Sequence, residues 1–152
     1  MALVEPILHL SLPVLDLEAS KRFYVEVLGC EIGREQADFV DVWFYGLQLT
    51  LQEHPDQVLP ADLRGVRHFG VTVGADELVL LLARAEDHDV EWLSRVRTDH
   101  AGTEREQTKA KIVDPSGNAI ELKSYADPTA AFSPRPTTAH APGLRGSVEV
   151  PS

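Results

Sequence analysis

Two histidines, a glutamine and a glutamate are the residues of this 152-residue chain that could do chemistry together. His9 lies in ILHLSLPV, Gln48 in LQLTL, His68 in VRHFGVTV and Glu121 in AIELK. Two imidazoles and a carboxylate with open positions form a ligand set for an octahedral divalent metal, non-haem Fe(II) included, and Gln48 could add a neutral fourth donor. Taken singly, each histidine reads as an ordinary part-buried or exposed strand residue. The case for a site rests on their common placement in a repeated pattern.

That pattern emerges from the elements. Ile7 to Val14 alternates as a strand, with Leu8, Leu10, Leu12 and Val14 on one face and His9 and Ser11 on the other. Asp16 stands where a helix N-cap belongs, and Gly29 where the helix stops. CEIGREQ, DFVDVWFYG and LQLTLQEH then return to period two; the second puts Phe39, Asp41, Trp43 and Tyr45 on one face, and the third puts Gln48, Thr50 and Gln52 opposite its leucines. The polar, proline-bearing PDQVLPADLRG, residues 55–65, is a connector. Past it the order begins again: a strand from Val66 to Gly74, a helix capped by Asp76, and strands over Glu91–Asp99, Arg105–Val113 and Ala119–Tyr125. Between the last two, Asp114-Pro115-Ser116-Gly117-Asn118 has the residues of a tight turn.

Residues 6–54 and 66–125 therefore form two β-α-β-β-β modules, a short internal repeat. His9 and His68 occupy equivalent first strands, and Gln48 and Glu121 equivalent last strands, all projecting away from the aliphatic faces that must cover the helices. If the modules pair edge to edge, the four meet on one concave surface. Residues 126–152, rich in Pro, Ala, Thr and Ser, read as a weakly ordered tail whose first part could pack on the sheet.

Composition bounds the function. The chain suits a single domain with a real core, 43% apolar and 25% charged, with a formal net charge of −10. That balance disfavours nucleic acid and anionic membranes as partners. One cysteine, Cys30, excludes an internal disulfide and reads as a small packed residue in a cytoplasmic protein. No apolar run is long enough to span a bilayer, and the N-terminus lacks the pattern of a secretory signal.

The spacing H-x6-D-L, the run RFYVEVLG, the second HFGVTV strand and the closing DPSGNAIEL resemble the vicinal oxygen chelate superfamily, over about residues 7–125. That group includes glyoxalase I, bleomycin-resistance proteins, fosfomycin-resistance enzymes and extradiol dioxygenases. The resemblance implies an α+β fold, paired βαβββ modules forming a curled mixed sheet around a cleft, commonly in a homodimer. It implies a divalent metal (Fe, Mn, Ni, Co or Zn) held at the positions of His9, Gln48, His68 and Glu121, and a small-molecule substrate. The chemistry implied is stabilisation of an enolate or enediolate by Lewis acid, with Glu121 as the base.

The sequence also departs from the members it resembles. Gln48 stands where glyoxalase I usually has a carboxylate, and no basic motif suited to glutathione is evident. His9, His68 and Glu121 alone match the three-ligand group of extradiol dioxygenases and fosfomycin-modifying enzymes. A dioxygenase wants a further acid–base residue, for which His54, His100 and Tyr125 are the available choices, and the anion loop of the fosfomycin enzymes is not evident. A lyase or isomerase is the leading expectation; a dioxygenase and a ligand-sequestering protein of the bleomycin-resistance kind are the alternatives. Trp43, Tyr45, Thr50 and Arg97 are expected to wall the cleft. Arg95, Arg97, Lys109 and Lys111 alternate on neighbouring strands as a solvated face that could also meet an anionic substrate.

Overall fold

A computed structural model describes residues 5–132. His9–Val14 forms β1, followed by helix α1 over Leu17–Arg22, which passes into a π-helical turn at Phe23–Val27. The Asp16 side chain accepts the Ala19 amide at 2.6 Å, satisfying a free N–H at the start of α1. Strands β2, Glu31–Glu35, β3, Phe39–Phe44, and β4, Leu47–Glu53, complete the first module. The connector winds into two short 3-10 turns, Pro55–Gln57 and Ala61–Leu63. The second module comprises β5, Phe69–Thr72, helix α2, Ala75–Asp87, and strands β6, Glu91–Asp99, β7, Gln107–Val113, and β8, Ala119–Tyr125.

The α+β class and the two βαβββ modules are as the sequence implies. Each module makes its own four-stranded mixed sheet, in the orders β1-β4-β3-β2 and β5-β8-β7-β6. The first strand of each module is thus an edge strand, paired in parallel only with the last strand of its own module. Within one chain β1 and β5 do not pair, so the expected joining of the modules edge to edge is not made there. The aliphatic faces turn inward instead: Leu49 and Leu51 of the first sheet, Ile112, Ile120 and Leu122 of the second, and Phe23, Leu78 and Leu81 of the helical segments share one core. Helix α1 packs on β3 and β4, α2 packs on β8, and α2 touches the π-helical turn, so the helices lie between the sheets. Both polar faces point outward. Among the described residues no helix is long and apolar enough to cross a membrane.

Three local expectations need correction. Strand β5 is only four residues long, so His68 stands just before it rather than within it. Gly74, not Asp76, is the N-cap of α2; Asp76 lies in the first turn, where its charge suits the positive helix end. Tyr45 is a turn residue: with φ of 49° at Tyr45 and 83° at Gly46 the pair closes the β3–β4 hairpin in the left-handed region that favours glycine at the second position.

The DPSGN turn is where the modules lock together. Asp114 Oδ1 accepts the Ser116 and Asn118 amides at 2.9 and 2.8 Å, and Oδ2 accepts Asn118 Nδ2 at 2.8 Å and the Tyr24 hydroxyl at 2.9 Å. Ser116 Oγ in turn accepts the Leu15 amide at 2.8 Å. Tyr24 and Leu15 belong to the first module, so a turn of the second is held by both. Cys30 is buried, and burial pushes its thiol up to about 12, as befits a packed residue. Pro128–Phe132 forms a 3-10 turn against β8; the remainder of the tail lies outside the described residues.

Candidate functional site

The strand registers decide which polar side chains share a face. His9 pairs with Gln48, and Gln48 pairs with Trp43; one row along, Ser11 pairs with Thr50 and Thr50 with Asp41. These side chains all stand on the face turned away from the helices. In the second sheet Gly70 pairs with Glu121 and Glu121 with Lys111. His68 precedes that register by two residues, so the modules are equivalent in order and slightly offset in detail.

Each imidazole has one nitrogen committed. His9 Nδ1 lies 3.1 Å from the Gln48 carbonyl oxygen, and His68 Nδ1 lies 2.7 Å from the Val66 carbonyl oxygen. A carbonyl only accepts, so in the neutral ring Nδ1 carries the proton and Nε2 keeps its lone pair. That leaves Nε2 as the nitrogen able to ligate a metal, with the ring's orientation set by the backbone. His68 Nε2 stands 3.9 Å from Glu121 Oε2.

Glu121 is largely covered, its side chain 12% exposed, with Lys123 Nζ at 3.2 Å and Lys111 Nζ at 3.8 Å. Gly70 makes this close packing possible. A Cβ there would collide with the Glu121 carbonyl oxygen, so any other residue would push β8 and its glutamate away.

Gln48 rests on a carboxylate that the motif alone does not reveal. Asp41 is 1% exposed and accepts Thr50 Oγ1 at 2.6 Å, Arg34 Nε at 2.7 Å and Gln48 Nε2 at 3.1 Å. Burial opposes its charge, but the Thr50 and Arg34 hydrogen bonds, the Arg34 charge and the Gln48 amide prevail and hold the carboxyl below its ordinary value. The visible signal was an acid in DFVDVWF, on the Trp43 face of an otherwise apolar strand.

The four ligand positions are therefore gathered as two pairs, His9 with Gln48 and His68 with Glu121, on separate sheets. Among the described residues no three His, Cys, Asp or Glu side chains lie together closely enough to hold a metal ion. Of the expected cleft residues, Trp43 is half-buried on the Gln48 row, and Thr50 shares that face with its hydroxyl donated to Asp41. Tyr45 points elsewhere: its hydroxyl donates to Glu77 on α2 at 2.7 Å, and desolvation with the Glu77 bond raises it above its usual value. Arg97 pairs with Asp99 at 3.3 Å on the second sheet. A separate, mainly apolar groove of about 390 Å3 runs beside His68, between Leu10, Leu12 and Phe69 and the connector residues Val58, Leu59 and Arg64.

Comparison with known proteins fits this fold. Residues 7–43 match the family model described as bleomycin resistance protein-like N-terminal. A solved glyoxalase/bleomycin resistance protein/dioxygenase from Alicyclobacillus acidocaldarius is 27% identical, with a TM-score of 0.73, covering 84% of this chain and 96% of that one. The fosfomycin resistance protein FosX from Listeria monocytogenes shares the fold at 16% identity and a TM-score of 0.68, over 84% of this chain and 99% of its own. A lactoylglutathione lyase from Agrobacterium tumefaciens does so at 19% and 0.59, over 80% and 94%. No curated protein sequence matches the chain.

Proposed function

We propose that the chain, similar to the glyoxalase/bleomycin resistance protein/dioxygenase group, is a member of the vicinal oxygen chelate superfamily and a metal-dependent lyase or isomerase acting on a small molecule. The observation that carries this reading is the shared state of its two histidines: both give Nδ1–H to a backbone carbonyl and keep Nε2 free, one of them beside Glu121. Two such imidazoles, a carboxylate and an amide suit a divalent ion with positions left over for substrate oxygens. When bound, the metal supplies Lewis-acid stabilisation of charge developing on those oxygens. His9 and His68 hold and orient. Glu121 takes the proton from a carbon next to a carbonyl, and its lysine neighbours stabilise the charge that remains on the substrate.

The reading needs a second copy of the chain. Both half-sites face outward with the helices between them, and each flanks an open sheet edge. Exposed apolar residues precede each histidine: Leu8, 76% exposed, before His9, and Val66, 91% exposed, two residues before His68. A two-fold homodimer that covers them sets the His9–Gln48 pair of one protomer against the His68–Glu121 pair of its partner, and does so twice.

A second reading, a protein that sequesters an apolar ligand, draws support from the groove under the connector. Elemental analysis of protein purified without added metal separates them. Stoichiometric Ni, Zn, Co or Mn is expected; Fe would favour a ring-cleaving dioxygenase. No metal, even after incubation with each ion, would overturn the enzyme reading in favour of the binder.

A further inference from the structure

The outer face of the second sheet is basic in a chain whose net charge is −10. Three of its four lysines, Lys109, Lys111 and Lys123, stand on that face with Glu121. They are half-buried, their side chains 19%, 30% and 28% exposed, and so are held against the sheet rather than dispersed in solvent. Arg97 joins them, paired across strands with Lys109. Among the described residues two carboxylates answer these four cations: Asp99, at 2.7 Å from Lys109, and Glu121, which Lys111 and Lys123 share.

The arrangement carries a cost. Lys109 and Lys123 lie directly opposite each other on adjacent antiparallel strands, where like charges destabilise a sheet. The ion pairs to Asp99 and Glu121 offset part of that cost and leave the face with positive charge in excess. Beside them is a cavity of about 220 Å3 lined by His68, Gly70, Thr72, Glu121 and Lys123. Its volume suits a small organic group.

We propose that Lys109, Lys111 and Lys123 form a binding site for an oxyanion, a carboxylate or phosphate group, carried by the substrate of this protein. Lys123 is two residues along β8 from Glu121, on the same face, so about 7 Å separates their positions. The anionic group therefore sits a few bonds from the reacting carbon, and the substrate is a small acid. In naming the substrate class the proposal rests on the reading above, yet the anion site itself can be tested without metal.

The test is an NMR titration of the full chain with propionate, with the neutral isostere propionamide, and with inorganic phosphate. Propionate is expected to shift backbone amides at Thr72, Lys109, Lys111 and Lys123, and propionamide to leave them unmoved. K109Q/K123Q should raise the propionate Kd about tenfold with an otherwise unchanged spectrum, whereas K21Q, on the other module, should not change it. A response to phosphate alone would assign the group as a phosphate; a response to propionate alone, as a carboxylate. Equal response to propionamide, or no loss in K109Q/K123Q, overturns the proposal. Metal titration of the same samples keeps the two ideas apart. Metal uptake with no lysine-centred anion response sinks only the anion site, and the reverse result sinks only the metal reading.

Discussion

Gln48 gives its side-chain amide nitrogen to Asp41 at 3.1 Å, and a carboxylate can accept that bond but never return it. The amide is therefore oriented: its oxygen faces away from Asp41 and accepts no hydrogen bond among the described residues. Since Thr50 and Arg34 fix Asp41 in turn, Gln48 is presented as an oxygen donor rather than as an amide free to flip.

If that orientation matters, Asp41→Asn should weaken metal binding about tenfold, in the range usual for groups that support a ligand. Glutamate at position 48 has two oxygens and needs no orientation. In a Gln48→Glu background, Asp41→Asn should cost far less. Isothermal titration of the four proteins closes the cycle, and an equal cost in both backgrounds would show that Asp41 only supports the fold.

Asp41 also makes a pH prediction. Its folded pKa lies below its ordinary value of 3.8, so it contributes stability above pH 3.8 that is lost as pH falls through the folded value. Acid unfolding of Asp41→Asn, followed by circular dichroism, should show a shallower loss of stability below about pH 4 than the parent. Parallel curves would mean that the buried carboxylate is not what titrates there.

The bond between Tyr24 and Asp114 ties the modules, and Tyr24→Phe tests it without leaving a large cavity. Asp114 is raised above its ordinary value, burial outweighing the bonds from Asn118, Tyr24 and Ser116. A raised carboxyl favours folding below its unfolded pKa and loses that contribution as pH rises through the folded one. Removing the tyrosine hydroxyl strips one donor from the ionised form. Urea unfolding should therefore show a loss of about 1–3 kcal/mol at pH 7 and a smaller one at pH 4.

Much of this was legible in the chain because alternation and turn chemistry are local. β6 and β8 run over the stretches read as strands, β8 with its period-two alternation, Asp16 caps α1, and the DPSGN turn closes as its residues require. Tyr45 was misplaced because an aromatic residue in a strand-like run gives no sign that the chain turns there; only the left-handed backbone at Tyr45–Gly46 does. The pairing of His9 with Gln48, and the approach of His68 to Glu121 two residues before Gly70 pairs with it, follow from parallel registers between distant segments. That the two pairs part company within one chain does not follow, since whether β1 meets β5 in its own chain or in another depends on how the modules pack. The role of Asp41 was hidden for a similar reason: one acid in a strand has no visible partner until its neighbours are aligned.

The separation of the two pairs yields the most direct prediction. If each site draws His9 and Gln48 from one protomer and His68 and Glu121 from the other, His9→Ala damages both sites of a homodimer, and so does His68→Ala. A mixed dimer of the two variants is different. One of its sites receives both substitutions, while the other receives neither and is intact. Isolated through two affinity tags, the mixed dimer should hold about one tightly bound metal ion where the parent holds about two and each variant dimer none. His88→Ala, at the end of α2 beside Glu26, should bind as the parent does. Sites confined to single chains would leave the mixed dimer as empty as its components, because every chain would carry a lesion of its own.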